Sequence, residues 1–201
     1  MATIRPTRPD DLDALYEVCV RTADAGGDAR HLHDDERLPG HVFVAPYAVL
    51  EPELCFVVED DEGVGGYVCG ADDTDAFDAR AEAQWWPALR RRYAEPDHAR
   101  GPEWTQDEWH RFFIHTPITG DPKVVADYPA HLHIDVLPRL QGRGTGRRLM
   151  DTFLDALRAR GARGVHLGVS PQNRHAIGFY RHYGFVELVA NEVQVVFVME
   201  L

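Results

Sequence analysis

The tightest constraint on this chain lies between residues 131 and 169, where a strand, a glycine turn, a helix and a second strand follow in order. His131-Leu132-His133-Ile134-Asp135-Val136 alternates polar and apolar side chains at period two, the mark of a half-buried strand. Gln141-Gly142-Arg143-Gly144-Thr145-Gly146 then sets three glycines among polar residues. Leu149, Met150, Phe153, Leu154 and Leu157 recur on one helical face before GVHLGVS extends again. Such a turn leaves the first N–H groups of the helix unpaired at the positive end of its dipole, and glycine lets them approach an anion closely. The spacing rejects two common phosphate cradles. No Lys-Ser/Thr pair follows Gly146, as a P-loop needs, and the last glycine falls one place early for a dinucleotide fingerprint.

The flanking segments punctuate clearly. ATIRPT reads as a short strand, after which Thr7, Pro9 and two aspartates supply the cap, first-turn proline and acids of a helix carrying Leu12, Leu15, Tyr16 and Cys19. Residues 24 to 48 hold no sustained period and are expected as loop or short helix. ELCFVVED and VGGYVCGA read as a hairpin about Asp61-Glu62-Gly63. Residues 74 to 128 carry Trp85, Trp86, Trp104 and Trp109 among acids and arginines, too aromatic for a disordered linker, and are expected as a helical insertion packed mostly as core. A helix over NRHAIGFYRHY stops at Gly184, and FVELVA with VQVVFVMEL closes the chain as a second hairpin.

A length of 201 residues predicts one domain, 1–201, with 74–128 inserted in it. The net charge of -12 argues against a nucleic-acid partner, which would need cations spread along phosphates, and suits a cationic one. Cys19, Cys55 and Cys69 stand apart in apolar stretches without a CxxC, as buried reduced thiols do. With no leader-like opening and no long apolar run, the expectation is a cytoplasmic protein off the membrane.

Three motifs follow in a telling order: Val136-Leu137-Pro138, then Gln-x-x-Gly-x-Gly from Gln141 to Gly146, then Asn173, Ala176, Phe179, Tyr180, Gly184 and Phe185. In this order the chain resembles the GNAT superfamily of acetyl-CoA-dependent N-acetyltransferases. LCFVVEDDEGVGGYVCG, the aromatic insertion and Ile134-Asp135-Val136 are further similar to the acetyltransferase-like C-terminal region of the animal O-GlcNAc hydrolases, here with the glycine motif intact and no hydrolase domain expected. The resemblance implies an α/β (α+β) fold, with a mixed, mostly antiparallel sheet flanked by helices, and acetyl-CoA as cosubstrate. It places the pyrophosphate on Gln141, Gly142, Arg143, Gly144, Thr145, Gly146 and Arg147. It places the pantetheine arm beside Ile134 and Val136, as an added strand where two strands splay, with Asn173 and Phe179 of the later motif on the cofactor as well. Tyr180 matches the tyrosine that protonates or hydrogen-bonds the departing sulfur.

Acetyl transfer to an amine needs the neutral amine, and for a lysine-like group near pKa 10.4 that form costs about 4.6 kcal/mol at pH 7. His131, His133 and Asp135 share one face of their strand, which makes His133 or Asp135 the base, unless these are simply buried hydrogen-bonded side chains. A metal is not expected, because the His-x-His pair lacks a spaced third ligand. Asp72, Asp73, Asp75 and Asp78 form an acid cluster able to attract a cationic acceptor, a small-molecule or peptide amine. A homodimer stays open, as does the alternative of a module that holds acetyl-CoA or CoA without significant catalysis.

Overall fold

The computed structural model describes residues 2–201, with Pro102 described by its backbone only. Strands β1 (Thr3–Pro6), β2 (Cys55–Asp60), β3 (Gly63–Ala71), β4 (Ala130–Val136), β5 (Gly164–Val169), β6 (Val186–Ala190) and β7 (Val195–Glu200) form one sheet in the order β1-β2-β3-β4-β5-β7-β6. Every neighbouring pair runs antiparallel except β4 and β5. Those two pair only at Ala130↔Val165 and His131↔His166, whereas β3 stays with β4 as far as Gly66↔Val136. The sheet therefore opens between β4 and β5 toward their C-terminal ends. β3 lies unusually tight against β4: a Cβ on Gly70 would fall 2.0 Å from the His131 carbonyl oxygen.

The alternation along β4 sorts its side chains between two cores. Leu132 faces the core built by α8 (Thr145–Ala159) and α9 (Arg174–Tyr183), where Leu149, Met150, Phe153, Leu154 and Leu157 are fully covered. The opposite face of the sheet is covered by α1 (Leu12–Val20), α2 (Leu38–Phe43) and α3 (Ala45–Leu50), together with part of the segment between β3 and β4. That segment holds α4 (Thr74–Gln84), α5 (Trp86–Arg92), α6 (Gln106–His115) and α7 (Pro122–Asp127). Phe77, Trp86, Leu89 and Ile114 join this second core, and the Trp85 indole donates to the His41 carbonyl at 3.0 Å. The tryptophans divide, since Trp104 and Trp109 pack edge to face on the outside of α6 and Trp109 keeps 39% of its surface exposed.

One local reading changes and two are filled in. Thr7 is not the helix cap; its hydroxyl donates to the Cys55 carbonyl, and the chain enters α1 through a 3-10 turn, Pro9–Asp11, whose Asp11 carboxylate accepts from the Arg8 N–H at 2.7 Å. The aperiodic stretch contains two six-residue helices, α2 and α3, each with a proline in its first turn. Cys55 and Cys69, far apart in the chain, face each other across β2 and β3, and all three cysteines are free and buried. Among the described residues no helix is long and apolar enough to cross a membrane.

Candidate active site

The glycine turn is built as an anion cradle. Gly142 and Gly144 hold φ of 72° and 73°, left-handed values that a side chain makes costly, and Gly144 stands at the N-cap of α8. The N–H of Arg148 pairs with the Gly144 carbonyl at 3.0 Å, but the N–H groups of residues 142 to 147 make no hydrogen bond among the described residues. Gln141 is not free to bind a ligand by its side chain: its Nε2 donates to the Val136 carbonyl at 2.7 Å and ties the turn to the end of β4. Arg143 is exposed and forms no ion pair among the described residues, while Arg147 lies 4.0 Å from Asp151 and over the Tyr183 ring. Unpaired amides, a helix dipole and an uncommitted arginine together fit a pyrophosphate.

Two further features fit the rest of a CoA ester. Ile134 and Val136 lie on the stretch of β4 that has left β5, so one edge of this stretch lacks a neighbouring strand. Across the gap, α9 begins at Asn173, whose side chain accepts from the Ala176 N–H at 3.0 Å and caps the helix. Phe179 lies 3.4 Å from where a Cβ on Gly146 would stand, which joins α9 to the start of α8. The Tyr180 ring is buried among Phe179, Phe185 and Phe197. Its hydroxyl has no partner among the described residues and is not one of their sealed polar atoms, so it stays reachable. Burial and the charge of Asp135 push the phenol well above its ordinary range, which keeps its proton in place.

On the other face, β4 contributes to a cavity of about 550 Å³ bounded by α2, α3, the insertion, His131–His133 of β4, the C-terminal half of β5 and residues 193–196. His133 lines it, as do His131 and His166, but neither Asp135 nor Tyr180 is among its lining residues. Asp135 accepts from the Tyr67 hydroxyl at 2.5 Å, and burial raises its carboxyl.

Hydrogen bonds orient the histidines. The Pro129 carbonyl can only accept, so the Thr74 hydroxyl donates to it at 2.7 Å and accepts from Nδ1–H of His131 at 2.8 Å. Nε2 of His131 then accepts from the Tyr47 hydroxyl at 2.9 Å, and Tyr47 accepts in turn from Nε2–H of His133 at 3.3 Å. Nδ1 of His133 is left with a free lone pair, unbonded and unsealed. Burial pushes His133 down to about 4 and His131 well below its ordinary value, so both rings are neutral at pH 7. Asp78, on the cavity wall one turn beyond Thr74, is raised to about 6, first by burial and then by the charge of Asp75.

The acetyltransferase (GNAT) family model matches residues 14–185, a stretch that includes the strand gap, the free-amide turn and Tyr180. The chain belongs to the GNAT acetyltransferase family. Acetyl transfer is the reaction class of that family. Protein O-GlcNAcase of Rattus norvegicus is 26% identical to this acetyltransferase over 191 residues, which are 94% of the chain but 20% of the relative. The chain thus spans about a fifth of the length of the curated relatives it matches first. Mycothiol acetyltransferase of Beutenbergia cavernae is 45% identical over 58 residues, 29% of this chain and 20% of that one. The crystal structure of SsHAT superposes with a TM-score of 0.90 at 44% identity, covering 99% of this chain and 98% of that one.

Sequence reasoning missed Tyr47, Thr74 and His166. Tyr47 comes from the aperiodic stretch, and Thr74 and His166 reach the cavity only through the packing of α4 and β5 against β4. No local pattern marks any of them. Asp78 was visible only as one acid of a cluster.

Proposed function

We propose that this GNAT acetyltransferase transfers acetyl from acetyl-CoA to a primary amine by direct attack, without a covalent enzyme intermediate. The observation that carries the reading is the opening between β4 and β5, with free amides at one end and a cavity beside it. The N–H groups of residues 142 to 147 and the Arg143 guanidinium hold the pyrophosphate, and the unpaired edge of β4 at Ile134 and Val136 receives the pantetheine amides as another strand would. His133 offers Nδ1 to an N–H of the amine, holds the nitrogen lone pair toward the thioester carbonyl, and takes the proton released as the C–N bond forms. Tyr180 gives its hydroxyl proton to the sulfur as the C–S bond breaks, and recovers one from solvent. Asp135 holds Tyr67, and its role here is structural.

The numbers limit what His133 does. A base near 4 facing an ammonium near 10.4 is short by about 6 units, or about 8 kcal/mol, so it cannot strip a proton from a solvated amine. The burial that depresses the imidazole depresses an ammonium as well, so the amine loses its proton largely on leaving water. That weak basicity is also the observation favouring a second reading, in which the chain holds acetyl-CoA or CoA as a sensor without useful turnover.

Titration calorimetry with acetyl-CoA and with CoA tests the shared premise. Binding in the micromolar range is expected, and Gly144→Glu, which sets a side chain and a negative charge on the cradle, is expected to abolish it while the protein still melts cooperatively. If wild type and the variant bind alike, the turn is not the pyrophosphate site.

A further inference from the structure

We infer that the cavity takes a small primary amine carried on a flat apolar ring, with Asp78 attracting it as an ammonium before it reaches His133 as the neutral amine. This rests on the acetyl-transfer reading above and narrows its acceptor to one chemical class. The walls are aromatic on several sides: Phe43 and Tyr47 from α2 and α3, Phe77 and Trp86 from α4 and α5, and Phe113 from α6. Tyr47 and Phe77 stack on each other at 4.4 Å between centroids and 3° between planes, which makes this part of the wall a rigid aromatic pair. The volume of about 550 Å³ suits a small molecule better than a polypeptide segment.

Several polar groups in the lining are already bonded within the protein, although the Thr119 and Gln194 side chains and Nδ1 of His133 carry no hydrogen bond among the described residues. The Thr74 hydroxyl is taken by Pro129 and His131, the Tyr47 hydroxyl by two histidines, His166 Nδ1 by the Tyr128 carbonyl at 2.7 Å, and the Asp121 carboxylate by the N–H of Lys123. A polyhydroxylated acceptor such as an amino sugar would set most of its hydroxyls against the five aromatic rings, a basis for discrimination against it. Asp78 differs from the bonded groups: its carboxylate makes no hydrogen bond and no ion pair among the described residues, yet it faces the cavity. A cation on a flat, apolar body meets both features, because the rings cover the body and the carboxylate meets the charge.

The test is steady-state release of CoA thiol from acetyl-CoA with benzylamine, glucosamine and Nα-acetyl-lysine amide as acceptors. Benzylamine is expected to exceed both others by about tenfold or more in kcat/KM. Asp78→Asn is expected to raise the KM for benzylamine by about tenfold while the KM for acetyl-CoA stays unchanged, the second constant showing that the variant is folded. Preference for glucosamine or the lysine amide would overturn the acceptor class and leave acetyl transfer standing. If no amine turns over, benzylamine is titrated calorimetrically into CoA-saturated protein: binding weakened by Asp78→Asn supports the site, and no binding overturns it. Failure to bind acetyl-CoA at all is a separate result, which removes the proposed function and this inference with it.

Discussion

Tyr180 and Asp78 show how one environment shapes two groups differently. Burial holds the Tyr180 phenol protonated across the physiological range, so its chemistry is to donate, and only while its hydroxyl stays reachable. Tyr180→Phe is expected to lower kcat by about 100-fold, the size of a lost general acid, with CoA affinity by calorimetry unchanged. Equal kcat in the two proteins would remove Tyr180 from the chemistry. Asp78 carries a cost instead. Its carboxyl is raised from 3.8 to about 6, so between those values the folded chain keeps a proton that the unfolded chain has released. Stability therefore falls as pH rises through that window, and the penalty is fully present above about 6. Asp78→Asn removes it, and after discounting for partial exposure should stabilise the protein by about 1 kcal/mol at pH 7 and not at pH 3.5. Chemical denaturation at the two pH values checks this; a variant less stable at pH 7 would contradict the buried-charge account.

At the scale of elements, what could be read in advance follows from range. The β4, turn and α8 unit is legible because period two, the glycines and the helical face are all local signals, and the Gly184 stop and both hairpins are legible for the same reason. Helices α2 and α3 are legible only as loop or short helix, because six residues are too few to show a period. The Thr74, His131, Tyr47 and His133 chain is illegible in principle, since its members come from α4, β4 and α3 and meet only once the sheet has formed. The glycine motif identified the backbone that faces an anion, but Gln141, whose side chain is tied to Val136, could be placed only from the structure. Gly70 is a case where a strand depends on one missing side chain. A Cβ there would stand 2.0 Å from the His131 oxygen and 2.7 Å from the Phe153 ring, and backbone cannot yield as a flexible tip does. Gly70→Ala should cost about 2 kcal/mol or more and shift the histidine pair, read as a lower melting temperature together with changed imidazole NMR shifts. An unperturbed melt would show that β3 and β4 have slack that the geometry denies them.

At the scale of the whole molecule, the sheet is two pieces, β1 to β4 and β5 to β7, stitched at only two residue pairs. Occupation of the gap should slow amide hydrogen exchange along residues 132 to 136 and leave β2, already paired on both sides, largely unaffected. Uniform protection across the sheet would mean that acetyl-CoA does not lie in the gap.

That stitching has a consequence for the protein's life in a cell. A ligand that completes the sheet becomes a structural member, worth about 2.7 kcal/mol when present at a hundred times its Kd. With acetyl-CoA as that member, as proposed above, the expected outcome is that resistance to proteolysis, and with it the standing amount of the protein, rises and falls with the supply of acetyl-CoA before any acceptor is encountered.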